Sequence, residues 1–520
     1  MATLRIPVTL ALTLFVVLAE IGLGSSAAPA AVERMLIDLP GAPEQHTPAA
    51  LNRVGGYRYF QPDAAVPTTI LVLIPGLNSG VNTMDILARA LVAASRLPLE
   101  VWVVKTRPTY LQDRRGVREA LAYRNPDFAL AYYYGKLPID GHVFRLPPPG
   151  THEYAAYWGL DVALRDIRAV VQEIHHRYPQ GAVFLGGHSL GAILAALYAG
   201  YDFDRIPGPG RVPAGTGEST LSPGAGVRDI RGLVMLDGVP FGFLPRLSGR
   251  GYLHGFRLPG LGPIPGAEQL TVADPQTRVG PFTDTSVLAR TQDSILFDVI
   301  AVYAYLRPGE PSTLPFFPRK GLRITNEALL GAVLSNQMQH DLFIRTSVGS
   351  PLGVFQRIPD PANVNPEGLL DLQTGRPAPG ETLIRWIPYD RSTPPGRVDL
   401  RALEEAILRP GGDFTQWYMP WRFILDLGLA GKLDTSDAFS RQYVSLTQVR
   451  YTNVPVIIIG AGRGLVRRAS VTDFYRGQIA TPPDRVTVTI LPGYTHLDIE
   501  NAQDNRAVPL VLGWIESVLH

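Results

Sequence analysis

The chain has 520 residues with 48 Lys and Arg against 46 Asp and Glu, a formal charge of +2, and hydrophobic and charged fractions of 46% and 18%. That balance excludes a disordered or fibrous class and shows no basic footprint for nucleic acid, while the absence of cysteine excludes a disulfide framework, a zinc–thiolate site and a thiol nucleophile. The length exceeds one ordinary core, so two domains or one domain with a large insertion are expected.

The first thirty residues read as a targeting segment: Arg5 begins it, Ile6 to Ala19 is apolar, and Ser25 to Ala31 is small enough for cleavage. A signal peptide over 1–30 implies a secreted or periplasmic protein with no stable membrane insertion once it is cleaved. Retention as an N-terminal membrane anchor is the alternative, because the apolar run resumes over Ile21 to Leu23. Short strands are predicted over Met35 to Leu39 and Gly56 to Phe60, and a buried one over Thr69 to Ile74, ending at Pro75-Gly76. A helix over Thr83 to Ser95 and a strand over Leu99 to Lys105 follow. Helical spacing of Leu164, Ile167, Val170, Val171 and Ile174 predicts a helix over Asp161 to Tyr178. Next come a strand over Ala182 to Gly187, a helix over Ala192 to Ala199 and a strand over Gly232 to Leu236.

From Pro240 to about Tyr451 the pattern breaks into Pro- and Gly-rich loops, with helical pieces over Ser294 to Leu306 and Asn326 to Ser335. Strands over Val454 to Ile459 and Val486 to Leu491 and a last helix over Val508 to Leu519 restore the alternation. The fold class expected is therefore α/β, a mostly parallel sheet flanked by helices. Residues 31–240 would form its first part, 241–450 a cap or lid inserted near the ligand-binding edge, and 451–520 its second part. Apolar runs such as Phe241 to Leu244 and Leu314 to Phe317 could line a pocket there or pack the cap.

Gly187-His188-Ser189-Leu190-Gly191 sits between a predicted strand and a predicted helix, the context that makes a Gly-x-Ser-x-Gly sequence a nucleophile elbow. A serine hydroxyl needs a base, and His496 follows a late strand through Pro492-Gly493-Tyr494-Thr495 on the same sheet edge. Competing histidines lie on a helix (His175, His176), inside the elbow (His188), in upstream loops (His46, His142, His152) or in the insertion (His254, His340).

These motifs, with Ile74-Pro75-Gly76-Leu77-Asn78 upstream, resemble the α/β-hydrolase superfamily of serine esterases and lipases over about 300 residues. The resemblance implies an order of Ser, acid, His along the chain. It also implies an oxyanion hole made by the amides of Leu190 and of Leu77, with Asn78 the next candidate. The sequence departs from the family at the acid, since the usual loop reads Gly460-Ala461-Gly462-Arg463-Gly464 and holds no carboxylate. Asp237, at the end of an earlier strand, and Asp473 are the candidates, and a dyad with His496 held by a carbonyl is the third option. Asp498 is expected to cap the next helix or pair locally.

With the export that the N-terminal segment implies, the resemblance points to a secreted esterase needing no cofactor and no metal, acting on a small-molecule or lipid-like ester through an acyl-enzyme on Ser189. An amide or peptide hydrolase with the same residues, or an inactive binding protein on this scaffold, are the alternatives.

Overall fold

Apolar runs too short for helices and uninterrupted by polar residues form strands buried on both faces. The computed structural model describes residues 31–147, 151–207, 220–241, 247–258, 262–270, 280–283, 290–314, 323–335, 345–351, 355–357, 369–371, 383–389 and 396–520. The targeting segment over 1–30, most of the runs at 241–244 and 314–317, and His340 lie outside them. Eight strands form one sheet: β1 (Glu33–Pro40), β2 (Arg53–Phe60), β3 (Thr69–Ile74), β4 (Leu99–Lys105), β5 (Ala182–His188), β6 (Gly232–Leu236), β7 (Val456–Ala461) and β8 (Val486–Leu491). Their order is β1-β2-β4-β3-β5-β6-β7-β8. β2 is antiparallel to β1 and β4, and every other neighbouring pair is parallel. β7 starts two residues later than the apolar pattern predicts, because Pro455 has no N–H to give; its carbonyl accepts from Leu233 instead.

The described helices of eight residues or more are α1 (Asp85–Ala94), α2 (Arg115–Ala122), α3 (Leu160–Arg177), α4 (Leu190–Ala199), α5 (Thr291–Leu306), α6 (Asn326–Leu334), α7 (Leu400–Ile407), α8 (Trp421–Leu429) and α9 (Ala507–Leu519). Successive strand residues point to opposite faces, and both faces are covered. Ile70, Val72 and Ile74 of β3 pack with Leu164, Ile167, Val171 and Ile174 of α3, and with α4. Leu71 and Leu73 pack on the other face with Leu87 and Leu91 of α1 and Val511 and Ile515 of α9. Each such side chain contributes about 1.5–3 kcal/mol by leaving water. No helix among the described residues is long and apolar enough to cross a membrane.

The chain between β6 and β7 does two things. Its α5, α6 and α7 share a separate core with Val117 and Ala120 of α2 and with Tyr132 and Tyr133, so residues from before β5 contribute to it. Its later part returns to the sheet: Phe423, Leu425 and Leu429 of α8 join the cluster around α3. It also meets the loop after β3, where Gly80 N–H donates to the Phe414 carbonyl oxygen.

Candidate active site

The parallel register brings three chain segments to one edge. His188 ends β5 opposite Leu236, and Leu236 lies opposite Ile459, so Ser189 and Asp237 leave adjacent strands side by side. Their amides close the ends of the ladder, Ser189 N–H donating to Leu236 O at 2.8 Å and Asp237 N–H to Ile459 O at 2.7 Å.

Ser189 sits between β5 and α4 at φ 55°, ψ −120°, a region non-glycine residues avoid at a cost of about 1–3 kcal/mol. Three glycine positions around it leave little or no room for a side chain. A Cβ on Gly187 would meet the backbone of Gly191, one on Gly191 would meet the Ile74 carbonyl, and one on Gly76 would lie 3.2 Å from the Ser189 Cβ. Leu190 is the first residue of α4, where helical bonding supplies no acceptor for its N–H and the helix dipole is positive. Leu77 follows Gly76 in the loop after β3, and Asn78 beside it turns at φ 54°. That loop is tied to the inserted region: Gln416 N–H donates to Asn78 O at 2.8 Å and Gly80 N–H to Phe414 O at 2.8 Å. A cavity of about 70 Å³ lies beside it, lined among others by Gly76, Leu190, Leu194, Met419 and Phe423.

His496, 2% exposed, lies five residues past β8, and its Nδ1 is 2.6 Å from Asp237 Oδ2. Asp237 is wholly buried. Its Oδ1 accepts from Ala461 and Val466 N–H at 2.9 and 2.8 Å, and its Oδ2 from Leu465 N–H at 2.9 Å. The glycine-rich loop after β7, which carries no acid, thus wraps the acid of the neighbouring strand; a Cβ on Gly464 would strike the Asp237 carboxylate. Burial pushes Asp237 up, but His496 and the backbone donors outweigh it and hold its pKa below 3.8. His496 is lowered from 6.5, by burial first and then by His188, with Asp237 opposing. Asp473 is 63% exposed and pairs with Arg476 at 3.2 Å; the structure brings Asp237, not Asp473, to the histidine.

Asp498 does more than pair locally. It accepts from Thr495 N–H at 2.7 Å, and also from Ser347 N–H and Oγ–H of the inserted region, each at 2.7 Å. Two residues that sequence patterns did not single out complete the surroundings. His188 packs its ring 4.2 Å from that of His496, and its Nδ1 lies 3.2 Å from the buried Glu500. The only sequence signal was their closeness to Ser189 and His496.

His188, Asp237 and His496 present ligand-type atoms within 4.8 Å of one another. The two oxygens of Asp237 already accept three backbone N–H bonds and face His496, which fills the four lone-pair directions of a carboxylate and leaves none for an ion.

A mostly parallel eight-stranded sheet in this order, with a serine elbow after its fifth strand, defines the α/β-hydrolase fold, and the chain has it. No protein-family model and no curated protein matches the sequence. Among solved structures the chain is similar to a putative lipase from Sulfolobus solfataricus, at 15% identity, 94% of each chain and a TM-score of 0.48. It is also similar to a soluble variant of monoglyceride lipase from Saccharomyces cerevisiae (10% identity, 90% of this chain and 92% of that one, TM-score 0.33). The Cif epoxide hydrolase from Acinetobacter nosocomialis matches at 12% identity over 100% and 99% of the two chains, with a TM-score of 0.33.

Proposed function

We propose that this protein hydrolyses carboxylic esters through an acyl-enzyme on Ser189. The observation that carries the proposal is the buried 2.6 Å contact of His496 with Asp237, on the strand next to the one that delivers Ser189. Asp237 fixes the ring with Nδ1 protonated, which leaves Nε2 as the base. Ser189 Oγ attacks the acyl carbon as its proton passes to Nε2. The amides of Leu190 and Leu77 then hold the negative oxygen of the tetrahedral intermediate. Collapse breaks the ester C–O bond, and the departing alkoxide takes the proton from His496. Water repeats the sequence on the acyl-enzyme, releasing the acid and restoring Ser189. The apolar cavity of about 70 Å³ beside Gly76 and Leu190 has room for a small acyl group only.

The same proposal treats 1–30 as an export signal and 241–450 as a cap over the site. The test is labelling with a fluorophosphonate probe followed by peptide mapping. Label on Ser189, lost in Ser189→Ala, is the expected result. An unlabelled folded wild type, or equal labelling of the variant, would overturn the assignment. Paired ester and amide substrates separate esterase from amidase.

A further inference from the structure

β5 ends on His188, a side chain for which the proposed reaction has no use, yet it is 1% exposed and lies against the proposed base. The rings of His188 and His496 have centroids 4.2 Å apart. His188 Nε2 is 2.9 Å from the His496 carbonyl oxygen, and Nδ1 is 3.2 Å from Glu500 Oε1. Both ring nitrogens therefore face acceptors. A neutral imidazole has one N–H and would press its other lone pair against an oxygen, whereas an imidazolium gives the carbonyl a donor and sets its charge against the carboxylate, a 3.2 Å ion-pair contact outside hydrogen-bond geometry. Glu500 is wholly buried, and neither of its oxygens has a hydrogen-bond partner among the described residues, so the facing imidazole is the group placed to balance its charge.

We propose that His188 and Glu500 form a buried imidazolium–carboxylate pair whose positive end lies against His496 and keeps that base in its neutral, proton-accepting form. His188 is then a positioning residue that sets the lower pH limit of the reaction, an inference that rests on His496 being the base. Burial works against the charge on His188 and Glu500 outweighs it, so its pKa is raised, while that of His496 is lowered. Asp237, just past β6, also faces the His496 ring, and Glu500 acts on it directly in the sense opposite to His188; Asp498 and the Arg345 carbonyl oxygen bond the neighbouring Thr495.

The pair is tested by ring-nitrogen NMR of the full chain labelled with 15N-histidine, which reads each imidazole without substrate. His188 is expected to carry protons on both nitrogens at neutral pH. In His188→Gln, His496 should titrate at higher pH; in Glu500→Gln the shift should be smaller, because the direct pull of Glu500 on His496 is lost together with the cation. The acid limb of kcat/KM for an activated ester should move up with it, a loss of about fivefold to tenfold on that limb. The double variant should move it no further than His188→Gln alone, because the cation is already gone. A singly protonated His188, or His496 titrating unchanged in both variants, overturns the pair. Ester turnover with an unmoved limb also sinks the pair and leaves the esterase proposal standing; a moved His496 with no turnover in any chain does the reverse. If His188→Gln does not fold, the His188 ring itself carries the test: two ring protons at neutral pH in the wild type and one in Glu500→Gln support the pair, and the same protonation in both overturns it.

Discussion

Asp237 shows how a residue's role is fixed by groups that leave no trace in the sequence. Four donors converge on its two oxygens, and three of them are backbone N–H groups of residues 461–466. Any residue but proline offers such an N–H, so the pattern of side chains left Asp237 and Asp473 both open. In Asp237→Asn the remaining oxygen can accept at most two of those bonds, and the new amide points N–H groups at N–H groups. Each buried donor left without a partner costs about 1–3 kcal/mol, so the variant should unfold at clearly lower denaturant. With the His496 tautomer no longer fixed, kcat on an activated ester should fall by about 10³- to 10⁴-fold. Denaturant titration and steady-state kinetics on the same preparation check both, and an Asn variant with wild-type turnover would remove Asp237 from the mechanism. Glu500 was invisible for a related reason: its partner His188 is more than three hundred residues away, and no motif joins them.

At the scale of elements the elbow was the most legible part, because its geometry excludes side chains and the sequence must therefore show glycines. Gly187 and Gly191 flank Ser189 where any Cβ would strike backbone, and backbone cannot swing aside as a flexible side chain can. Gly191→Ala should push α4 away from the β3 carbonyl at Ile74, costing about 3 kcal/mol or more. Thermal melting should show a large fall in Tm, and the fluorophosphonate should label Ser189 more slowly even where the variant is folded; an unchanged Tm would mean the turn is looser than it looks. β3 and β7 were legible because all six residues of each are buried and, Thr69 aside, none is polar. The short pairs of the inserted region, such as Gly349–Pro351 with Trp386–Pro388, were not: three residues have no periodicity to detect.

For the whole molecule, prolines and glycines set the stretch between β6 and β7 apart from the alternating strands and helices, but they could not say how it meets the sheet. Docking depends on single long-range contacts. Asp426 of α8 accepts from Leu160 N–H of α3 at 2.9 Å and from the Tyr252 hydroxyl at 2.7 Å, and pairs with Arg422 at 2.8 Å. Asp498 fastens the His496 loop to Ser347, so the inserted region reaches the candidate site through a titratable group. Burial raises the pKa of Asp498 from 3.8 to about 6 against the pull of its hydrogen bonds. A carboxyl whose folded pKa lies above its unfolded value favours folding when protonated. Its contribution is complete below about pH 4 and is lost as pH rises through about 6, a change of about 3 kcal/mol by neutral pH. Asp498→Asn stays uncharged throughout and should lack this loss, while its missing hydrogen bond lowers stability by an amount that does not vary with pH. Asp237 and His496, both lowered, add stability as pH rises, but they do so in both chains and drop out of the difference. Denaturant unfolding of wild type and variant from pH 4 to 7 should therefore give curves that approach or cross in the variant's favour as pH rises. Parallel curves would mean that Asp498 titrates in the folded chain as it does in the unfolded one, its hydrogen bonds to Thr495 and Ser347 fully offsetting burial.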